Sequence, residues 1–122
     1  MEDMTALSNM PVIAQEDRGD GWIADYFDTT PRMSVYLLCF IICDFSYVET
    51  VTPKGHVVRV WARDDAIHAA NFGLEAAGLL QEWLEDYTGV DYPLPKMDHI
   101  ALPSKGGAME NWGLITYGEG TL

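Results

Sequence analysis

Hydrophobic and polar residues follow two rhythms along this chain, and the change between them divides it. Before about residue 62 the apolar positions come in short runs or strict alternation, which predicts strands. Residues 5–13 read as the end of a strand interrupted by Pro11, and 15–21 as a polar turn with two glycines. Residues 22–28 form a second extended segment. Thr29-Thr30-Pro31 closes it, because the residue before proline is pushed out of the helical region. The apolar run over 35–48 is rich in β-branched and aromatic side chains and predicts one long, largely buried strand. After a turn at Thr52-Pro53-Lys54-Gly55, residues 56–62 alternate Val58 and Val60 against Val57, Arg59 and Trp61, a further strand.

The second rhythm is helical. Asp64 or Asp65 offers an N-cap. Phe72, Ala76, Leu79, Leu80, Trp83 and Tyr87 then recur at steps of three and four, predicting one amphipathic helix between about 72 and 87. Gln81, Glu82, Glu85 and Asp86 fall on or near its opposite, solvated face. Gly73 and Gly78 each weaken it by about 1 kcal/mol relative to alanine, so packing must hold it. Gly89 is placed to stop it as a left-handed cap. Pro93 and Pro95 give an extended lead into a short strand over 97–102, and a loop over 103–107 leads to a last strand through Trp112 to Tyr117. The fold class is α+β.

Composition narrows the function. Nineteen acidic against seven basic side chains give a formal net charge of −12 and a pI near 4.3. Such a chain is repelled by nucleic-acid phosphates and by anionic membrane surfaces. The hydrophobic fraction of 48% is that of a globular protein, so the charge does not signal disorder. The start, Met1-Glu2-Asp3-Met4, is acidic where a signal peptide is basic, and the longest apolar run falls short of the ~20 residues that span a bilayer. No membrane contact is expected from this segment. Cys39 and Cys43 lie four apart on one strand face, too far along it for a mutual disulfide, and read as buried free thiols. His56 reads as a solvated residue at a strand edge, His68 as a surface or half-buried helix residue, and His99 as structural or exposed.

Candidate chemistry gathers near residue 110. Gly106 and Gly107 allow a close backbone approach, and Glu110 sets a carboxylate just beyond them. As a strand, the stretch would put Ala108, Glu110 and Trp112 on one face and Met109 and Asn111 on the other.

Gly107-Ala108-Met109-Glu110-Asn111-Trp112-Gly113-Leu114 resembles the exopeptidase signature of the zinc aminopeptidases related to aminopeptidase N. Five further blocks are similar to that family in its order. They are Ala6-Leu7-Ser8-Asn9-Met10-Pro11, Thr30-Pro31-Arg32-Met33-Ser34 with Tyr36-Leu37-Leu38, Val60-Trp61-Ala62-Arg63, Tyr92-Pro93-Leu94-Pro95-Lys96 and Ala101-Leu102-Pro103. The resemblance implies the end of an N-terminal β-sandwich-like domain over residues 1–48 and the first, β-plus-helix lobe of a thermolysin-like peptidase domain over 49–122, with both cores incomplete and stability marginal. It also implies that Glu110 binds the α-amino group of a peptide substrate. Gly107 and Ala108 would run beside the peptide, Met109 would line the pocket for the first side chain, and Asn111 would hold the turn. The family binds one zinc ion through His-Glu-x-x-His and a later glutamate, all downstream of the signature. Here no two histidines stand four apart, so the resemblance implies a piece without metal ligands or catalytic residues, inactive alone. The partners implied are peptides with a free N-terminus. Family members are often membrane-anchored ectoenzymes and some are cytoplasmic, which leaves location open. An alternative from another class is an inactive, acidic peptide-binding module. Two departures from the family lie beside the signature. Ser104-Lys105-Gly106 is shorter than the usual loop and basic where relatives carry an acidic-aromatic pair, and Gly118-Glu119 stands where the family commonly has Arg-Glu.

Overall fold

A computed structural model describes residues 4–121, so the acidic start Met1-Glu2-Asp3 lies outside the described residues. Among the described residues nine strands, two 3-10 turns and one α-helix follow one another, an α+β chain. The antiparallel pair β1 (Thr5–Ser8) and β4 (Phe40–Cys43) stands apart from the hairpin of β2 (Val12–Gly19) and β3 (Trp22–Phe27). The remaining strands are β5 (Ser46–Val51), β6 (Val57–Ala62), β7 (Lys96–Leu102), β8 (Ala108–Met109) and β9 (Leu114–Gly118), which form one sheet in the order β5-β6-β7-β9-β8. β6, β7 and β9 are parallel neighbours, and the flanking pairs are antiparallel. Parallel neighbours need a long crossover, and α1 (Ala70–Thr88) supplies it between β6 and β7. No described helix is long and apolar enough to cross a membrane.

The central strands are covered on both faces. Val58 and Val60 are fully buried on the face where α1 packs against β6 and β5. On the other face Trp61, Ile100 and Leu114 pack with Leu7 of β1 and Cys43 of β4. That second face also holds a buried ion pair. The Lys96 ammonium donates to Asp98 Oδ2 at 2.5 Å, to the Ser8 carbonyl at 2.6 Å and to the Gly113 carbonyl at 2.7 Å, which uses all its protons. Trp61 Nε1 donates to the other Asp98 oxygen at 3.0 Å. Burial pulls the Lys96 ammonium below its ordinary range, and Asp98 acts against that pull.

Several expectations give way here. Residues 35–48 are not one strand. They divide into a 3-10 turn at Val35–Leu37, β4 and β5, because the chain changes partner from β1 to β6 and must break at Asp44-Phe45 to do so. Nor is the run largely buried, since Phe40 and Ile42 face outward. The polar turn expected over 15–21 is mostly strand β2, whose polar side chains bond across the hairpin, Gln15 to Asp25 at 2.7 Å and Tyr26 to Glu16 at 3.0 Å. The reversal is confined to Gly19-Asp20-Gly21, all at positive φ. Neither Asp64 nor Asp65 caps the helix. Asp64 accepts from Ser46 Oγ, Asp65 pairs with Arg63, and Ile67–Ala69 forms a 3-10 lead into α1.

The helix is also rotated from the expected orientation. Its buried residues are Ala70, Gly78, Gln81 and Glu85, while Phe72, Leu79, Leu80, Trp83 and Tyr87 are exposed. Capture of Glu85 accounts for this. Tyr92 N–H donates to its Oε1 at 2.7 Å, and Lys54 and His56 lie 3.3 and 3.5 Å from the carboxylate. The Tyr92 bond chiefly holds Glu85 below its ordinary carboxylate range. Small residues can then approach β5 and β6, and the large apolar side chains turn outward. Gly89 ends the helix at φ 66° with its N–H on the Glu85 carbonyl, as expected. His56 is not solvated: its Nδ1 lies 3.0 Å from the Leu94 carbonyl. His68 is exposed. Cys39 and Cys43 are free thiols at the apolar core, and burial pushes both upward.

Two outcomes follow from the buried polar groups. Lys96→Met strands the Asp98 carboxylate and is expected to cost about 3–5 kcal/mol, with Lys96→Met/Asp98→Asn regaining part of it by keeping Trp61's acceptor; urea unfolding midpoints of the three proteins measure this. His99 is 5% exposed with Nδ1 3.0 Å from the Tyr117 hydroxyl, and burial lowers its pKa from 6.5 to about 4. The unfolded chain therefore takes up a proton that the folded chain refuses. The stability from neutral His99 is present above pH 6.5 and is lost as the pH falls towards 4, by roughly 3 kcal/mol in all. His99→Asn is expected to flatten the stability profile across that window relative to the wild type.

Candidate functional site

The signature residues sit at the edge of the large sheet. β8 is only Ala108–Met109 and pairs with β9 on one side alone, Ala108 opposite Tyr117 and Met109 opposite Thr116. Its other edge has no strand beside it among the described residues. The expected run of alternating strand residues stops at Met109, because Trp112 and Gly113 form a turn and β9 begins only at Leu114. Leu114 N–H on the Asn111 carbonyl, 3.1 Å, closes that turn. Asn111 is buried, and its Nδ2 lies 3.4 Å from the Met109 carbonyl. Gly107 adopts φ 63°, and its carbonyl accepts from Gly118 N–H at 2.8 Å.

Glu110 lines a cavity of about 780 Å³. Met109, Glu110 and Trp112 line one side, and Arg32, Met33, Ser34, Tyr36 and Leu37 of the first segment line the other. Glu110 is exposed and has no hydrogen bond or ion pair among the described residues. Its charge adds to burial in pushing the Tyr117 phenol above its ordinary range. The structure thus brings Met109 and Glu110 to one opening, keeps Asn111 beneath the turn, and leaves Gly107 and Ala108 on the exposed approach to it. A second cavity of about 700 Å³ lies between α1 and the sheet, lined by apolar residues such as Phe72, Leu80, Met97 and Ile115, and contains none of the signature.

Sequence reasoning missed what fixes the turn. Asn9, just past β1, is 1% exposed. Its Nδ2 donates to the Trp112 carbonyl at 2.7 Å and to the Leu37 carbonyl at 2.8 Å, while its Oδ1 accepts from Cys39 N–H at 3.0 Å. Lys96 holds the next carbonyl, that of Gly113. Gly113 has φ 73°, and a Cβ there would lie 2.1 Å from the Asn9 carbonyl oxygen, so only glycine fits. Asn9 and Lys96 each stood within a family-like block, the only signal the sequence offered.

The two departures from the family pattern touch each other. A Cβ at Gly118 would lie 2.1 Å from the Lys105 carbonyl oxygen. The loop Ser104-Lys105-Gly106 therefore occupies space that any larger residue at 118 would need.

No group of three His, Cys, Asp or Glu side chains among the described residues could hold a metal ion. His99 is engaged by Tyr117 and His56 by Leu94 and Glu85, and His68 lies on a separate turn.

Residues 1–37 match the Peptidase M1 N-terminal domain, and residues 72–122 match the Peptidase family M1 domain. Endoplasmic reticulum aminopeptidase 1 of Homo sapiens is 48% identical over 118 residues, covering 96% of this chain and 12% of that protein. Thyrotropin-releasing hormone-degrading ectoenzyme of Rattus norvegicus is 47% identical over 117 residues, covering 93% of this chain and 11% of its own length. Aminopeptidase Q of Homo sapiens is 45% identical over 124 residues, with 96% and 12% covered. The chain thus spans about an eighth of the length of such relatives. With both domains matched in order and close identity along nearly its whole length, this chain belongs to peptidase family M1.

Proposed function

We propose that this chain is part of a zinc-dependent aminopeptidase and carries the element that reads the free amino end of a peptide. The observation that carries the reading is the Glu110 carboxylate, exposed in the lining of this cavity and without a partner among the described residues, although Arg32 stands in the facing wall. An ammonium group is the ligand such a carboxylate accepts through charge-assisted hydrogen bonds, each contributing about 1.5–3 kcal/mol. The open edge of β8 beside it suits an extended peptide, whose backbone would add as a further strand. Met109, half-buried in the cavity wall, offers a flexible thioether to the first side chain. Asn111 holds the turn from below through Met109.

The reading divides the chain near residue 48, which lies within β5; the two-stranded ladders end at Cys43 and the five-stranded sheet opens at Ser46, so the structural break is a few residues earlier. Zinc in this family supplies carbonyl polarisation and a nucleophilic water. The residues described here do not fit a zinc site, so no step of this chain's own chemistry is routed through the metal. The purified 122-residue chain is accordingly expected to hold no stoichiometric zinc and to hydrolyse no aminoacyl-anilide. One tightly held zinc per chain on metal analysis would contradict this.

The test of Glu110 uses the complete enzyme. Glu110→Gln keeps the shape and removes the charge, so kcat/KM on a peptide with a free amino end is expected to fall by about one to two powers of ten. An N-acetylated peptide lacks the ammonium and is expected to be poor for the wild type and little worse for the variant. Equal losses on both substrates would mean that Glu110 supports the fold rather than reading the amino end.

A further inference from the structure

Asn9 lines no part of the Glu110 cavity, yet it holds both of its walls. Leu37 belongs to the wall from the first segment and Trp112 to the wall from the signature turn. The Asn9 amide donates one proton to each of their carbonyls, at 2.8 and 2.7 Å. Its oxygen is fixed in turn by Cys39 N–H at 3.0 Å, so the amide cannot rotate without losing three bonds. Trp112 is two residues from Glu110, and the Asn9 main-chain oxygen presses against Gly113. We propose that Asn9 is a positioning residue for amino-end recognition. It sets the width of the cavity and the aim of Glu110, and makes the site depend on a residue 103 positions earlier in the chain. The proposal rests on the reading of Glu110 above.

A variant at Asn9 does not simply dissolve the structure. Lys96 still ties the Ser8 carbonyl to the Gly113 carbonyl, so the strands stay docked while the cavity walls lose their shared bond. Asn9→Asp is the sharper substitution, because it keeps the shape and the Cys39 contact but sets a carboxylate oxygen against the two wall carbonyls.

The experiment is carried out on the complete enzyme, with kcat/KM measured on one peptide in free and N-acetylated form. Asn9→Ala and Asn9→Asp are expected to lower the preference for the free form by about tenfold or more, since a displacement near 1 Å in a positioned group has effects of that order. Asn9→Gln, which keeps a neutral amide but displaces it by one methylene from the Leu37 and Trp112 carbonyls, is expected to do the same and decides the matter if the other Asn9 variants fail to fold. In this chain itself, hydrogen exchange at the Leu114 amide is expected to quicken in the Asn9 variants. Folded variants that lose activity equally on both peptides would assign Asn9 to stability alone and overturn the proposal. If Glu110→Gln leaves the preference intact, the underlying reading fails instead, and the two failures are told apart.

Discussion

A single buried ammonium joins the parts of this chain that lie farthest apart in sequence. Lys96 is placed on the central strand β7, and its protons go to Asp98 on the same strand, to Ser8 at the end of β1 and to Gly113 in the signature turn. A charge so enclosed is tolerated only because each proton meets an acceptor and each Asp98 oxygen a donor. Removing any member leaves a buried group unpaired, so the geometry of the turn is over-determined. Asn9 repeats the arrangement one residue later in the first segment and one residue earlier in the turn, with Trp112 in place of Gly113. Glu110 projects from a turn held from beneath by these two side chains, while its own carboxylate stays free.

Charge distribution supports the same division of labour. The chain is strongly acidic, and Lys54, Arg59, Arg63 and Lys96 each hold a carboxylate of the scaffold. Most of these pairs are exposed and contribute little to stability. Their effect on the site is that these cations are engaged away from Glu110.

The residues told a good part of this in advance. Local pattern located the helix to within two residues at its start and one at its end, and Gly89 marked its stop through the one backbone conformation that favours glycine there. The position of β6 and the extended lead through Pro93 and Pro95 were equally legible. Patterns failed where partners decide. An apolar run over 35–48 does not reveal that its two halves pair with different strands. The helical periodicity was right but its orientation was wrong, because the capture of Glu85 by Tyr92, Lys54 and His56 is a tertiary event. At the site, Glu110 and its neighbours were visible as a motif, whereas Asn9 acts across 103 residues and Lys96 across 88 and 17, contacts that no local periodicity announces.

The central claim is that Glu110, aimed by the turn, receives the amino group of a peptide laid along β8. A crystal structure of the complete enzyme with a bound peptide tests it most directly. The account predicts the peptide's amino nitrogen within about 3 Å of the Glu110 carboxylate, with its first residues extended beside Ala108 and Met109. An amino nitrogen held by another carboxylate, with Glu110 facing solvent, would contradict it.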